Sequence, residues 1–108
     1  MVVKQERPRY LLVEFTDNTP DKRKLVKVLR DKIAYLGGQL ALSKSNVHVV
    51  DVVNNYAIIR AQHESRDIVE VAVQLLDFKS TVPVVRTVSG TIKSINEHLS
   101  TNIIDDDE

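Results

Sequence analysis

The stretch V-H-V-V-D-V-V-N-N-Y-A-I-I-R-A-Q, residues 47–62, decides the fold. Two β-branched runs, 47–53 and 56–62, flank Asn54-Asn55, and asparagine tolerates the left-handed backbone that a two-residue hairpin needs. Upstream, residues 9–16 alternate, with Leu11, Val13 and Phe15 on one face and Tyr10, Leu12 and Glu14 on the other, the period of a strand. Asp17-Asn18-Thr19-Pro20 then predicts a turn, with Thr19 as N-cap and Pro20 at the first helical position. Leu25, Val28, Leu29, Ile33 and Leu36 fall on one helical stripe that Gly37-Gly38 closes, with room for another helical turn around residues 39–43.

Downstream of the hairpin, Ser65 predicts the cap of a second helix whose Ile68, Val69, Ala72, Val73 and Leu76 again make one stripe, closing near residues 78–80. Residues 82–88 form a last strand, in which Pro83 suits an edge or a strand start, and a final helix covers about 91–99. The order β-α-β-β-α-β plus a terminal helix reads as an α+β domain. It is a ferredoxin-like, RRM-like sandwich with an antiparallel sheet, both main helices on one face and the other face open. Residues 1–8 read as a flexible basic arm, 9–100 as the single domain and 101–108 as an acidic, disordered tail.

The 108 residues are 43% hydrophobic, enough for one core, and contain no cysteine, which removes disulfides, thiolate metal sites and cysteine nucleophiles. No apolar run approaches the roughly 20 residues of a membrane span, and residues 1–9 are too charged for a secretory signal, so a cytoplasmic protein with no membrane partner is expected. Fifteen basic and fifteen acidic residues balance, but four of the acids are the terminal Asp105-Asp106-Asp107-Glu108. The other 104 residues therefore carry a net +4, which permits weak attraction to a polyanion without demanding it. His48, His63 and His98 show no metal-ligand spacing, and no nucleotide-binding loop is present, so no catalytic residue, metal site or protein-bound cofactor is expected.

The chemistry that remains lies in R-T-V-S-G-T-I-K, residues 86–93. Ser89, Gly90 and Thr91 turn backbone N–H groups and hydroxyls toward an anion, with Arg86 and Lys93 supplying charge. The same residues also read as Ser89 or Thr91 capping the last helix with no ligand at all. Arg60 and Arg86 stand mid-strand among Ile58, Ile59, Val84 and Val85, so each must face water, a bound phosphate or a carboxylate such as Glu14 or Asp51. The stacking motif of RNA-recognition modules is absent, and Tyr10 and Tyr56 are the only tyrosines on strands. Base stacking across the sheet is therefore not expected, and RNA contacts should go to phosphate and ribose. Leu12, Val50, Val52 and Ile58 place apolar surface on strand faces, which predicts a protein partner there.

Three segments, R-Y-L-L-V-E-F at 9–15, Y-A-I-I-R at 56–60 and V-V-R-T-V-S-G-T-I-K at 84–93, resemble the small protein subunit of archaeal and eukaryotic ribonuclease P. This is the Pop-five type, also called ribonuclease P protein component 2. The resemblance implies a non-catalytic subunit of a ribonucleoprotein endonuclease that removes the 5′ leader of precursor tRNA, with Mg2+ working at the catalytic RNA. It implies that the chain binds and stabilises ribonuclease P RNA, meets precursor tRNA only indirectly, and pairs with the barrel-like ribonuclease P subunit in a heterotetramer where two copies of this chain touch. Arg60, Arg86, Ser89, Thr91 and Lys93 are then assigned to RNA or to the ordering of the RNA-facing surface, with Arg7 and Arg9 as supplementary phosphate contacts. The alternative from another class is a non-enzymatic ferredoxin-like interaction or dimerisation module; a small metabolic enzyme has little support.

Overall fold

The structure, a computed structural model, describes residues 7–106, and the side chains of residues 7–100. In chain order the elements are β1 (Pro8–Phe15), α1 (Lys22–Ser45), β2 (His48–Val53), β3 (Tyr56–Gln62), α2 (Arg66–Gln74), β4 (Pro83–Ser89) and α3 (Ile92–Asp106). The sheet order is β2-β3-β1-β4, and all three neighbouring pairs are antiparallel. Asn54 takes φ 53° in the β2–β3 turn, the left-handed value its side chain tolerates. The α+β, ferredoxin-like arrangement expected from the hairpin is the arrangement observed.

Alternation along the strands sorts side chains to two cores. Leu11, Val13 and Phe15 of β1 and Ala57, Ile59 and Ala61 of β3 pack with Leu25, Leu29 and Ile33 of α1 and Val69, Ala72 and Val73 of α2. The opposite parity, Leu12, Tyr56 and Ile58, packs under Ile95 and Leu99 of α3, with Tyr10, Val53 and Ile92 at the margin. The second sheet face is therefore covered, not open: α3 lies on it, and Leu12 and Ile58 are 0% and 3% exposed.

Each edge strand carries one extra residue. On β2, Val49 pairs with Ile59 and Asp51 with Ile58, so Val50 is bulged out; on β4, Val85 pairs with Val13 and Thr87 with Leu12, so Arg86 is. A bulge shifts the parity of everything beyond it. The helix-facing positions are accordingly Val49 then Val52 on β2, and Val85 then Val88 on β4, spaced by three instead of two.

Helix boundaries depart from expectation in four places. Helix α1 begins at Lys22, not at Pro20, because the Thr19 hydroxyl donates to the Asn54 carbonyl (2.8 Å) in place of capping. It also continues past Gly37-Gly38: Gly38 takes φ 84°, ψ 178°, kinking the helix, which resumes and ends at the left-handed Asn46. Gly37 is needed for close approach, since a Cβ there would lie 2.6 Å from Ile68 Cδ1 of α2 and 2.7 Å from Ala41 Cβ. Helix α2 ends at Gln74, short of residues 78–80; Ser65 occupies its N-cap position but makes no side-chain capping bond, and a 3-10 turn at His63–Ser65 leads in. Helix α3 runs to Asp106 and takes in residues assigned from sequence to the acidic tail; residues 1–6 of the arm and 107–108 of the tail lie outside the described residues.

Candidate nucleic-acid interface

The β4–α3 corner is built by its own hydroxyls. Ser89 Oγ accepts the Thr91 N–H (3.3 Å), which tightens the turn, and Thr91 Oγ1 accepts the Ser94 N–H (3.3 Å), which caps α3. Both hydroxyls thus hold the corner's shape while Thr91 and Lys93 remain exposed. Arg9 comes to the same place from β1: its Nη1 would lie 3.3 Å from a Cβ on Gly90 and donates to the Pro8 carbonyl at 3.0 Å. Glycine at 90 is what lets this guanidinium lie against the turn, so Arg9 and Lys93 flank a hydroxyl-lined corner assembled from opposite ends of the domain.

Arg86 has an internal partner. Its Nε donates to Glu14 Oε1 at 2.5 Å, and Glu14 Oε2 accepts from Asn55 Nδ2 at 3.3 Å, so the carboxylate ties edge strand β4 to the hairpin turn. Of the alternatives open to a mid-strand arginine, the Glu14 carboxylate is the one realised. The Arg86 side chain is still 50% exposed, and the bulge directs it onto the α3 face of the sheet beside Glu14. An ion pair this exposed is worth at most about 1 kcal/mol.

Register places Arg60 and Ser89 together. Arg60 pairs with Tyr10 on one side and His48 on the other, and Tyr10 pairs with Ser89, giving a row His48–Arg60–Tyr10–Ser89 across one end of the sheet on the α3 side. Arg60 also takes part in an internal interaction. Arg7 is exposed at the start of β1, its carbonyl accepting the His63 N–H at 2.7 Å. The seven cations and hydroxyls singled out from sequence thus lie along one end and one edge of the sheet.

The four apolar residues expected to make a partner interface do not share a surface. Leu12 and Ile58 are sealed beneath α3, Val52 packs under the α1–α2 layer, and Val50 alone is exposed, as the bulged residue of an edge strand. Parity explains the miss: a bulge sends Val50 and Val52 where strict alternation would not. The exposed large apolar groups lie mostly on the helical layer instead, at Tyr35, Leu36, Leu40, Val71 and Leu75. Among the described residues no three His, Asp or Glu side chains converge on a possible metal position, and no helix is long and apolar enough to cross a membrane. Cross-strand register, which no linear motif encodes, brings Tyr10 and His48 into line with Arg60 and Ser89.

A profile of the Rpp14/Pop5 family matches residues 9–100. No curated protein matches the chain. Among solved structures, a chain of yeast ribonuclease MRP superposes with a TM-score of 0.64 at 11% identity, covering 94% of this chain and 98% of that one. At that identity the likeness concerns the fold.

Proposed function

The chain belongs to the Rpp14/Pop5 family, and from that membership we propose that it is a protein subunit of ribonuclease P that binds and stabilises the catalytic RNA during removal of the 5′ leader from precursor tRNA. Its part is non-catalytic. The magnesium-dependent chemistry belongs to the RNA, precursor tRNA is met indirectly, and the work is done in the cytoplasm. The observation that supports this reading best is the corner where Arg9 and Lys93 flank the Ser89-Gly90-Thr91 turn. Hydroxyls and cations fixed at a strand-to-helix corner suit phosphate and ribose. Arg86 contributes less than a free cation would, because RNA must share it with Glu14. The protein partners are the barrel-like ribonuclease P subunit and, within a heterotetramer, a second copy of this chain.

The test is reconstitution of the holoenzyme with Arg86→Ala/Lys93→Ala. Cleavage of precursor tRNA is expected to fall while the chain stays folded, its melt lowered by no more than the few degrees that loss of the exposed Arg86–Glu14 pair costs. In filter binding, the dependence of RNA affinity on salt should flatten by about 0.7–0.9 per lost phosphate contact. Full activity with both residues changed refutes the assignment. A second reading, a ferredoxin-like interaction module, is favoured by Tyr35 and Leu40, which stand 83% and 69% exposed beside the α1 kink. It predicts a stable oligomer and no salt-dependent binding to structured RNA.

A further inference from the structure

The row across the end of the sheet holds two groups that the phosphate corner does not use. Tyr10 and His48 lie on either side of Arg60, on the α3 side, in line with Ser89. Tyr10 rests against the margin of the core under α3 and is only partly buried, whereas Tyr56, the other strand tyrosine, is sealed. Helix α3 starts next to Ser89 and carries Ile92, Ile95 and Leu99 over Leu12, Ile58 and Tyr56, while Tyr10 and Arg60 in the row stay partly exposed. His48 is exposed there. One ring nitrogen, Nε2, lies 3.1 Å from Asn46 Oδ1, which leaves Nδ1 as the ring nitrogen for a ligand.

We propose that His48–Arg60–Tyr10–Ser89 is a track for an unpaired segment of RNA, continuous with the corner at Ser89, in which the Tyr10 ring takes one base and His48 Nδ1 accepts from a ribose 2′-hydroxyl. The inference rests on the RNA-binding reading and adds a substrate class to it: the corner alone suits any phosphate backbone, whereas a tyrosine face selects a base free to leave its helix. Four adjacent strands at about 4.8 Å set the row at roughly 14 Å from His48 to Ser89, long enough for a short single-stranded run. The row supplies an acceptor, a cation, an aromatic ring and a hydroxyl in that order, the mixture single-stranded recognition uses. Arg60 supplies charge from the middle whether or not it keeps its internal interaction.

The experiment is filter binding of the full chain to ribonuclease P RNA transcribed in vitro, over a salt series, with Tyr10→Leu, Tyr10→Phe, His48→Ala and Arg86→Ala/Lys93→Ala. Tyr10→Leu should weaken binding about five- to hundredfold, as loss of one stacked base does, without changing the salt slope. Tyr10→Phe should restore most of that loss, and His48→Ala should cost about two- to tenfold, as one hydrogen bond does. Arg86→Ala/Lys93→Ala should flatten the slope instead. Ultraviolet crosslinking of the wild-type complex should attach an unpaired nucleotide to the peptide that carries Tyr10. If Tyr10→Leu and His48→Ala bind as tightly as wild type while Arg86→Ala/Lys93→Ala does not, the track is refuted and the corner survives; if none of them changes binding, both fail. Should Tyr10→Leu fail to fold, exposed His48 and the crosslink decide: unchanged binding by His48→Ala with no crosslink at Tyr10 overturns the proposal.

Discussion

Replacing Ile95 by alanine tests whether α3 is an integral layer of the domain. Ile95 is fully buried between α3 and the sheet, against Leu12 and Ile58. The substitution removes three carbons from a closed site. At about 0.8 kcal/mol per buried methylene the transfer loss is about 2.4 kcal/mol, and the cavity left behind raises it into the range of about 2–5 kcal/mol. Leu29→Ala in the core under α1, at 1% exposure, is the matched control and should cost a similar amount. The two sites differ in what happens next. Relaxation around Leu29 is limited by α1, α2 and the sheet together, whereas α3, the last element among the described residues, is seated through the Ile95 and Leu99 contacts on one face of the sheet and can lift off. If it does, the cost of Ile95→Ala stops at the free energy that seats the helix, and adding Leu99→Ala costs almost nothing more. Urea unfolding monitored by circular dichroism gives the energies, and native-state hydrogen exchange shows whether α3 amides lose protection ahead of the sheet. A cost below about 1 kcal/mol with α3 protection unchanged would mean that the helix is not held by this contact, and the covered sheet face would be wrong.

Two further changes probe single features. Gly38→Ala should destabilise the chain by about 1–3 kcal/mol by urea midpoint, because φ 84°, ψ 178° is a glycine conformation, even though a Cβ there would meet nothing within 4 Å. Thr91→Ala should cost about 1 kcal/mol in the same assay and fray the first turn of α3, whereas Thr91→Ser should keep the cap, because it retains the oxygen that accepts the Ser94 N–H.

The order of elements and, apart from the exposed Leu36, both helical stripes were legible because they rest on periodicity, and alternation and the 3.6-residue repeat survive without knowledge of neighbours. Asn54-Asn55 marked the hairpin through one residue's tolerance of positive φ. What escaped depended on contacts distant in sequence. The fate of Thr19 was settled by a carbonyl 35 residues away, and the path of α1 through Gly37 by a side chain of α2. The bulges at Val50 and Arg86 leave no local signature, yet they decide which face each following residue occupies. At the candidate site the corner residues were readable as a group, since they are contiguous. The approach of Arg9 to Gly90, the row joining Ser89 to His48 and the choice of Glu14 as the partner of Arg86 all arise from pairing between strands, which a linear pattern does not encode.

The two bulged edges also bear on how the protein behaves in company. An exposed strand border is an invitation for a foreign strand to zip on, and a uniform border would let sheets join side to side without limit. Here any newcomer that matched the first half of β2 or β4 would fall out of phase halfway along, one residue adrift. Side-to-side joining of one sheet to another is thereby discouraged at both borders.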